Sequence, residues 1–367
     1  MVGRPKSPDY VIFFTIIGLL GFGIVMVYSS SAVSAYVNYN DSYYFLKRQM
    51  IWAILGILAM LLTMNIDYHV WRELAKPIMI LTLILLVLVL IPGLGKVVNG
   101  ARRWLGFGSL YLQPSEIAKL CMVLFTANSL ARSQDKIGNF VKGVLPQLVM
   151  LLVVFGLILK EPDLGTALVI GGTVFILLFA AGAKLSHLGS LGAVGVLGIV
   201  AAIIAEPYRL KRLLAFSDPW ADPLNSGYHI IQSLYAIGSG GLFGVGLGRS
   251  REKFLYLPEP HTDFIFAILG EELGFIGTAT VIILFFLFAW RGFKIAISAP
   301  DIYGSLLAGG ITSMIVLQAL MNIAVVTASM PVTGIPLPFL SFGGSALTFT
   351  LAGVGILLNV SRYVSLK

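Results

Sequence analysis

The 367 residues are 57% hydrophobic and only 11% Asp, Glu, Lys or Arg, with a formal net charge of +8 and a mean hydropathy of +0.92. A soluble domain carries about 25% charged residues, and one core cannot bury this much apolar side chain without leaving large exposed patches. The solvent must therefore be apolar over most of the surface, which excludes a secreted disulfide scaffold, a coiled coil, a disordered chain and an ordinary cytosolic enzyme.

Charge-poor runs locate the membrane spans, because about 20 apolar residues cross roughly 30 Å of hydrocarbon as a helix. Ten are expected in chain order, near Tyr10–Tyr28, Gln49–Ile66, Pro77–Ile91, Ser115–Ala131, Gly143–Leu159, Leu164–Ala181, Leu185–Ala205, Asp263–Trp290, Ile302–Ala328 and Leu340–Val360. The first follows Arg4 and Lys6 with no small-residue cleavage site after it, so it reads as a retained helix. The last two share the 60 residues Ile302–Ser361, which contain no Asp, Glu, Lys or Arg. One helix of that length would reach about 90 Å, so the chain turns back, and Pro331-Val-Thr-Gly-Ile-Pro-Leu-Pro338 is the place. The expected fold class is all-α, a polytopic membrane protein of about ten transmembrane helices forming a single membrane domain over residues 1–367.

Ten spans put both termini on one side, with the short segments carrying Arg4/Lys6, Arg72/Lys76, Arg132/Lys136, Lys184, Arg291/Lys294 and Arg362/Lys367. The excess of cations in short loops makes that side cytoplasmic. The segment 206–262 is far longer than an ordinary connector and reads as one large extracytoplasmic loop, which points to work done on the outer face. Cations also face outward at Lys47/Arg48, Lys96/Arg102/Arg103, Arg209/Lys211/Arg212 and Arg249/Arg251/Lys253, as an anionic ligand or headgroup anchoring would require. They form no dense basic block, so nucleic acid is not an expected partner. The single cysteine, Cys121, lies in an apolar run as a small core hydrophobe, and no disulfide or Cys-rich metal site is available.

Ionisable groups at membrane depth are expensive, which makes them candidates for function unless they are paired for structure. The first cluster is Asn99-Gly-Ala-Arg102-Arg103-Trp104-Leu followed by Gln113-Pro-Ser115-Glu116-Ile-Ala-Lys119. There Ser115 can cap a helix, Glu116 and Lys119 can pair across one turn, and two arginines beside a Trp can hold a pyrophosphate. The second is Lys160-Glu161-Pro162-Asp163-Leu-Gly-Thr166, where Asp163 can cap the next helix. The third is Pro258-Glu-Pro-His261-Thr262-Asp263-Phe264, running into Glu271-Glu272. Thr262 or Asp263 would start the helix and place a carboxylate at the water–membrane boundary, where partial desolvation raises its pKa toward that of a general base; His261 with Asp263 could also hold a hard divalent cation. The fourth, Gly238–Arg249, is rich in glycine but follows no strand and precedes no Lys-Ser/Thr, so it is neither a dinucleotide fingerprint nor a P-loop; a flexible or re-entrant hairpin is the simpler reading. Ser341-Phe-Gly-Gly-Ser345 suits close helix packing.

At these residues the whole chain resembles the SEDS family (shape, elongation, division and sporulation) of peptidoglycan polymerases that includes FtsW, RodA and SpoVE. The resemblance is carried by Asn99–Leu105, Gln113–Lys119, Glu161–Ala167, Tyr256–Ala267, Glu271–Gly277 and Pro331–Ser345, and the run Ser250–Pro260 looks more like the FtsW/SpoVE branch. It implies a glycosyltransferase that extends glycan strands from lipid II at the outer face of the cytoplasmic membrane, in an inverting single displacement. Asp263 matches the family's essential aspartate, as catalytic base or as metal ligand to Mg2+ or Mn2+, with no organic cofactor. Arg102, Arg103, Trp104, Glu116 and Lys119 match its first loop and helix, and these, with Asp163, His261 and Glu271, are the expected substrate-binding residues. The implied partners are lipid II, a class B penicillin-binding protein that cross-links the strand, and other membrane proteins of division, elongation or sporulation. The alternatives from other classes are a lipid II flippase and a noncatalytic scaffold.

Overall fold

The structure, a computed structural model, describes residues 6–98, 100–107, 110–254 and 256–364; Asn99 of the first motif, and the terminal cations Arg4 and Lys367, lie outside them. Ten helices occupy the positions of the ten expected spans: α1 (Tyr10–Tyr39), α2 (Tyr44–Asn65), α3 (Tyr68–Leu90), α4 (Pro114–Arg132), α5 (Leu145–Lys160), α6 (Leu164–Ala180), α7 (Leu185–Ile204), α10 (Ile265–Ser298), α11 (Ile302–Val326) and α12 (Gly344–Ser361). Eight of them are long and apolar enough to cross a membrane, α5 together with the π turn Phe140–Val144 before it. The other two are α6, with 17 residues, and α4, which carries Glu116, Lys119 and Arg132.

Small residues let these helices approach closely, as packing inside lipid requires. Along the α2–α12 contact, a Cβ on Gly355 would fall 2.0 Å from Thr63 Oγ1, and Thr63 donates to Ala352 O at 2.9 Å. Helices α11 and α12 are sheathed by their neighbours, whereas α7 buries only Leu188. The first and last described segments meet at one end of the bundle. Lys6 N donates to Arg362 O at 2.8 Å, and Asp9 caps α1 while pairing with Arg291 at 2.6 Å.

The other end is more elaborate than a set of loops. Between α3 and α4 the chain forms a three-stranded antiparallel sheet, β1 (Gly95–Val98), β2 (Ala101–Phe107) and β3 (Leu110–Leu112). The long segment 206–262 contains α8 (Pro207–Ser217) and α9 (Tyr228–Gly240), and Pro331–Pro338 turns the chain from α11 into α12. The glycine-rich motif is neither free nor nucleotide-binding. Helix α10 breaks at Gly274 (φ 64°, ψ −160°), and residues 241–246 fill the break. Val245 N and Gly246 N donate to Glu271 O and Glu272 O at 3.0 and 3.1 Å, while Phe275 N and Ile276 N donate to Gly241 O and Leu242 O at 2.8 and 3.2 Å. Backbones approach so closely that a Cβ on Gly244 would sit 2.2 Å from Glu272 O. The broken helix thus has its freed amides and carbonyls satisfied by protein, the condition for irregular backbone at membrane depth.

Candidate active site

Asp263 lies where α10 begins, but the helix starts at Ile265 with Phe264 in the cap position, and neither Thr262 nor Asp263 caps it. Among the described residues no hydrogen bond reaches the Asp263 carboxylate, so it is not spent on secondary structure. Its backbone is held instead. Asn322 Nδ2 of α11 donates to Asp263 O at 2.7 Å and to Ile335 O at 2.8 Å, Ser341 Oγ donates to Thr262 O at 2.6 Å, and Phe342 N donates to His261 O at 2.8 Å. Gly334 (φ +73°) brings backbone against the carboxylate: a Cβ there would lie 3.4 Å from Asp263 Oδ2. Loss of water pushes the Asp263 carboxyl up to about 6, with Glu259 adding to the rise and Arg103 and Arg212 opposing it.

Those two guanidinium groups arrive from different elements. Arg103 of β2 donates from Nε to Glu161 O at 2.9 Å and from Nη2 to Pro162 O at 2.5 Å. Arg212 of α8 donates from Nη1 to Val332 O at 3.3 Å, and burial holds it below the usual arginine range, with Arg103 adding to the depression while Tyr208 and Asp263 oppose it. A bulge opposite Lys96 and Val97 leaves Arg103 as the extra residue of β2, and Arg102, paired with Val97, donates to Leu90 O, at the end of α3, at 3.0 Å. Trp104, paired with Lys96, takes the opposite face from Arg102. The expected pair of adjacent arginines is therefore divided, and the second cation whose charge acts on Asp263 is Arg212, expected only as one of several outward-facing cations.

Asp163 caps α6, accepting from Thr166 N at 3.1 Å, and also receives Thr166 Oγ1 at 2.9 Å and Gln113 Nε2 at 3.3 Å. It stands close enough to Asp263 to add to its raised pKa. Beside it Glu161 is fully buried with neither oxygen partnered, and burial followed by the charge of Asp163 pushes its carboxyl up to about 9, so it is neutral at pH 7.

Three expected substrate contacts lie elsewhere. Glu116 and Lys119, each 3% exposed, form an ion pair of 2.8 Å inside the bundle. Lys119 Nζ donates to Gln318 Oε1 at 2.5 Å, and Gln318 Nε2 donates to Pro336 O at 2.9 Å. The pair thus braces the Pro331–Pro338 segment from beneath and does not reach the surface where Arg103 and Arg212 stand. The cap position of α4 belongs to Gln113, not Ser115, because Pro114 occupies the first turn. Glu271 accepts from Ser250 Oγ at 2.5 Å and Arg251 N at 2.7 Å, and Glu272 from Ser29 Oγ at 2.6 Å and Lys253 Nζ at 2.8 Å, so both carboxylates anchor the loop that follows the glycines. His261 lies against Phe45, with 4.2 Å between ring centroids, and burial lowers its pKa to about 4, leaving it neutral.

A cleft of about 220 Å3 opens beside Arg212. Leu164 and Leu168 of α6, Ile199 and Ile203 of α7, and Pro331 and Val332 form its apolar walls, with Arg209 and Arg212 also lining it. Cations beside a greasy cleft suit an amphiphile with an anionic head. No group of three His, Cys, Asp or Glu side chains suited to a metal ion occurs among the described residues. The guanidinium groups of Arg103 and Arg212, whose charge reaches the Asp263 carboxylate, offer hydrogen-bond donors to an anion.

The family model described as cell cycle protein, FTSW_RODA_SPOVE, matches residues 10–366. The chain is 52% identical to stage V sporulation protein E of Bacillus subtilis (strain 168) over 363 residues, 99% of each chain. It is 47% identical to the probable peptidoglycan glycosyltransferase FtsW of Trichlorobacter lovleyi, covering 99% of this chain and 95% of that one. Among solved structures it resembles a chain of a peptidoglycan synthase complex that coordinates polymerization and crosslinking (TM-score 0.81, 34% identity, 97% and 98% covered). It also resembles the rod shape determining protein RodA of Thermus thermophilus (TM-score 0.72, 31% identity, 98% and 99% covered). The higher identity to the SpoVE and FtsW sequences agrees with the branch expected from Ser250–Pro260.

Proposed function

This chain belongs to the FtsW, RodA and SpoVE family, and from that premise we propose that it is a peptidoglycan glycosyltransferase that polymerises lipid II at the outer face of the cytoplasmic membrane. The observation that carries the reading is the meeting of one uncommitted carboxylate, Asp263, with Arg103 and Arg212 beside an apolar cleft. The reaction requires each part. The polyprenyl chain of the lipid-linked sugar lies along the cleft, and its diphosphate meets the two guanidinium groups, whose planar forks suit phosphate oxygens. The acceptor hydroxyl gives its proton to the Asp263 carboxylate as its oxygen bonds to the anomeric carbon of the donor. The bond from that carbon to the diphosphate oxygen breaks, and the charge on the leaving diphosphate grows where Arg103 and Arg212 stand. With a carboxyl that ionises near pH 6, Asp263 is mostly charged at pH 7 yet basic enough to accept the proton. One displacement inverts the configuration, so no glycosyl-enzyme intermediate is needed. No cage of protein ligands for Mg2+ or Mn2+ occurs among the described residues, and no step is assigned to either ion.

Cross-linking of the product falls to a partner, a class B penicillin-binding protein. The test is to purify the chain with its cognate partner, supply labelled lipid II with Mg2+, Mn2+ or EDTA, and compare glycan ladders from wild type and Asp263→Asn. The wild type yields a ladder and the variant, still folded and still bound to its partner, yields none. A verified complex that makes no ladder, or a variant that makes the same one, sinks the catalytic reading in favour of lipid transport or scaffolding.

A further inference from the structure

The reaction leaves one surface at the Asp263 end of the bundle unused, where α1, α2 and the β-sheet meet in a group of tyrosines. The rings of Tyr39 and Tyr44 stack face to face with centroids 3.8 Å apart, and the Arg48 guanidinium lies 4.5 Å over the Tyr44 ring. From β3 comes Tyr111, with Lys96 Nζ 4.5 Å from its ring centroid and 3.1 Å from its hydroxyl. Tyr111 acts electrostatically on Tyr44, and Arg48 on Tyr111, so the two groups lie within reach of each other's charge. Tyr39 is 50% exposed there. The face is continuous with the catalytic segment: Phe45, next in the chain to Tyr44, packs on His261 and on Phe342, with centroids 4.2 and 5.1 Å apart, and His261 is two residues from Asp263.

A membrane-interface belt needs tyrosines scattered around the bundle with their hydroxyls toward headgroups. Here rings from three elements are gathered on one side of the site, with cations laid on their faces. The half-exposed Tyr39 ring, held by its stack on Tyr44, suits the apolar C–H face of a pyranose ring, and the cations beside the rings suit carboxylates. The product of the proposed reaction has both features, since every second sugar carries an acidic peptide. We infer that the surface formed by Tyr39, Tyr44, Arg48, Lys96 and Tyr111 holds the nascent glycan strand, a carbohydrate chain bearing anionic peptide substituents, beside Asp263. The inference rests on the polymerase reading and deepens it: a strand held between additions dissociates less often, so this surface sets strand length.

The complex with the cognate class B penicillin-binding protein is given labelled lipid II, and strand length and lipid II consumption are measured for wild type, Tyr44→Phe, Tyr44→Leu and Arg48→Ala. In parallel, binding of soluble peptide-bearing glycan oligomers to the same complexes is measured by calorimetry. Tyr44→Phe keeps the ring and stays close to wild type in both readouts. Tyr44→Leu and Arg48→Ala shorten the mean strand several-fold more than they slow lipid II consumption, and weaken oligomer binding roughly tenfold. Tyr44→Leu is apolar, so wild-type strand lengths and wild-type oligomer affinity in it and in Arg48→Ala would reduce the surface to an interfacial anchor and overturn the inference. A wild-type complex that makes no strands would instead sink the polymerase reading, and the binding arm would still decide whether this surface takes glycan.

Discussion

Asp263 is poised by neighbours that pull in opposite directions. Burial and Glu259 favour the neutral acid, Arg103 and Arg212 favour the carboxylate, and the balance falls at about 6. A base must be ionised to act, so kcat/KM for polymerisation rises with pH through an apparent pKa near 6 and falls about tenfold per pH unit below it. Removing a neighbouring cation makes the charged form less favourable, so Arg103→Gln moves this limb to higher pH as well as slowing the reaction; an unmoved limb would separate Arg103 from Asp263. Arg103→Lys keeps the charge but gives up the fork that grips Glu161 O and Pro162 O, so it retains the limb and loses rate. Asp263 could be found in the sequence because a carboxylate at the start of an apolar run has few structural uses. The division of Arg102 from Arg103 could not, because it follows from a bulged strand in a segment too short and polar to announce a sheet. Arg212 was legible as an outward cation but not as a neighbour of Asp263, because it lies on an amphipathic helix inside a stretch that reads as a long loop.

At the scale of elements, hydropathy was sufficient for the ten helices and blind to their ends. Helix α1 continues eleven residues beyond the expected Tyr28, and α2 begins at Tyr44 rather than Gln49, because the tyrosines and polar residues there lower hydropathy without ending a helix. The break in α10 was equally concealed. A glycine after two glutamates fits a helix locally, and only the backbone of residues 241–246 inserted beside it fixes Gly274 at φ 64°, ψ −160°, a region open essentially to glycine alone. Gly274→Ala therefore costs about 1–3 kcal/mol of strain, besides placing a Cβ 2.3 Å from Gly244 N. Thermal unfolding in detergent should show its midpoint lowered by a few °C, since the shift is about 2–4 °C per kcal/mol for chains of about 150–250 residues and smaller for longer ones. Gly189→Ala on α7, where nothing lies within 4 Å, should leave the midpoint in place. Equal midpoints for the two variants would mean that the turn yields freely and does not pin the broken helix.

Considered whole, the molecule is a packed bundle with one loosely attached member. Helix α7 buries Leu188 alone, and its largest contacts are with α8 and α6. It lines the cleft through Ile199 and Ile203, together with Leu168 of α6 and with Arg209 and Arg212, so this wall of the cleft has the least packing to hold it. A polyprenyl chain entering sideways from lipid must pass between such walls, whereas a water-soluble substrate would come through the polar end and be indifferent to them. The only cysteine, Cys121, is buried, so thiols introduced in the cleft can be addressed selectively. With Leu168→Cys and Ile199→Cys bridged by a short, thiol-reversible bis-methanethiosulfonate, polymerisation of lipid II should fall roughly tenfold or more and return on reduction, because the bridge occupies the volume that the lipid needs. Each single variant treated with the same reagent should keep most of its activity. Unchanged rates in the bridged protein would place lipid entry on another face of the bundle and leave the cleft between α6 and α7 as a packing defect.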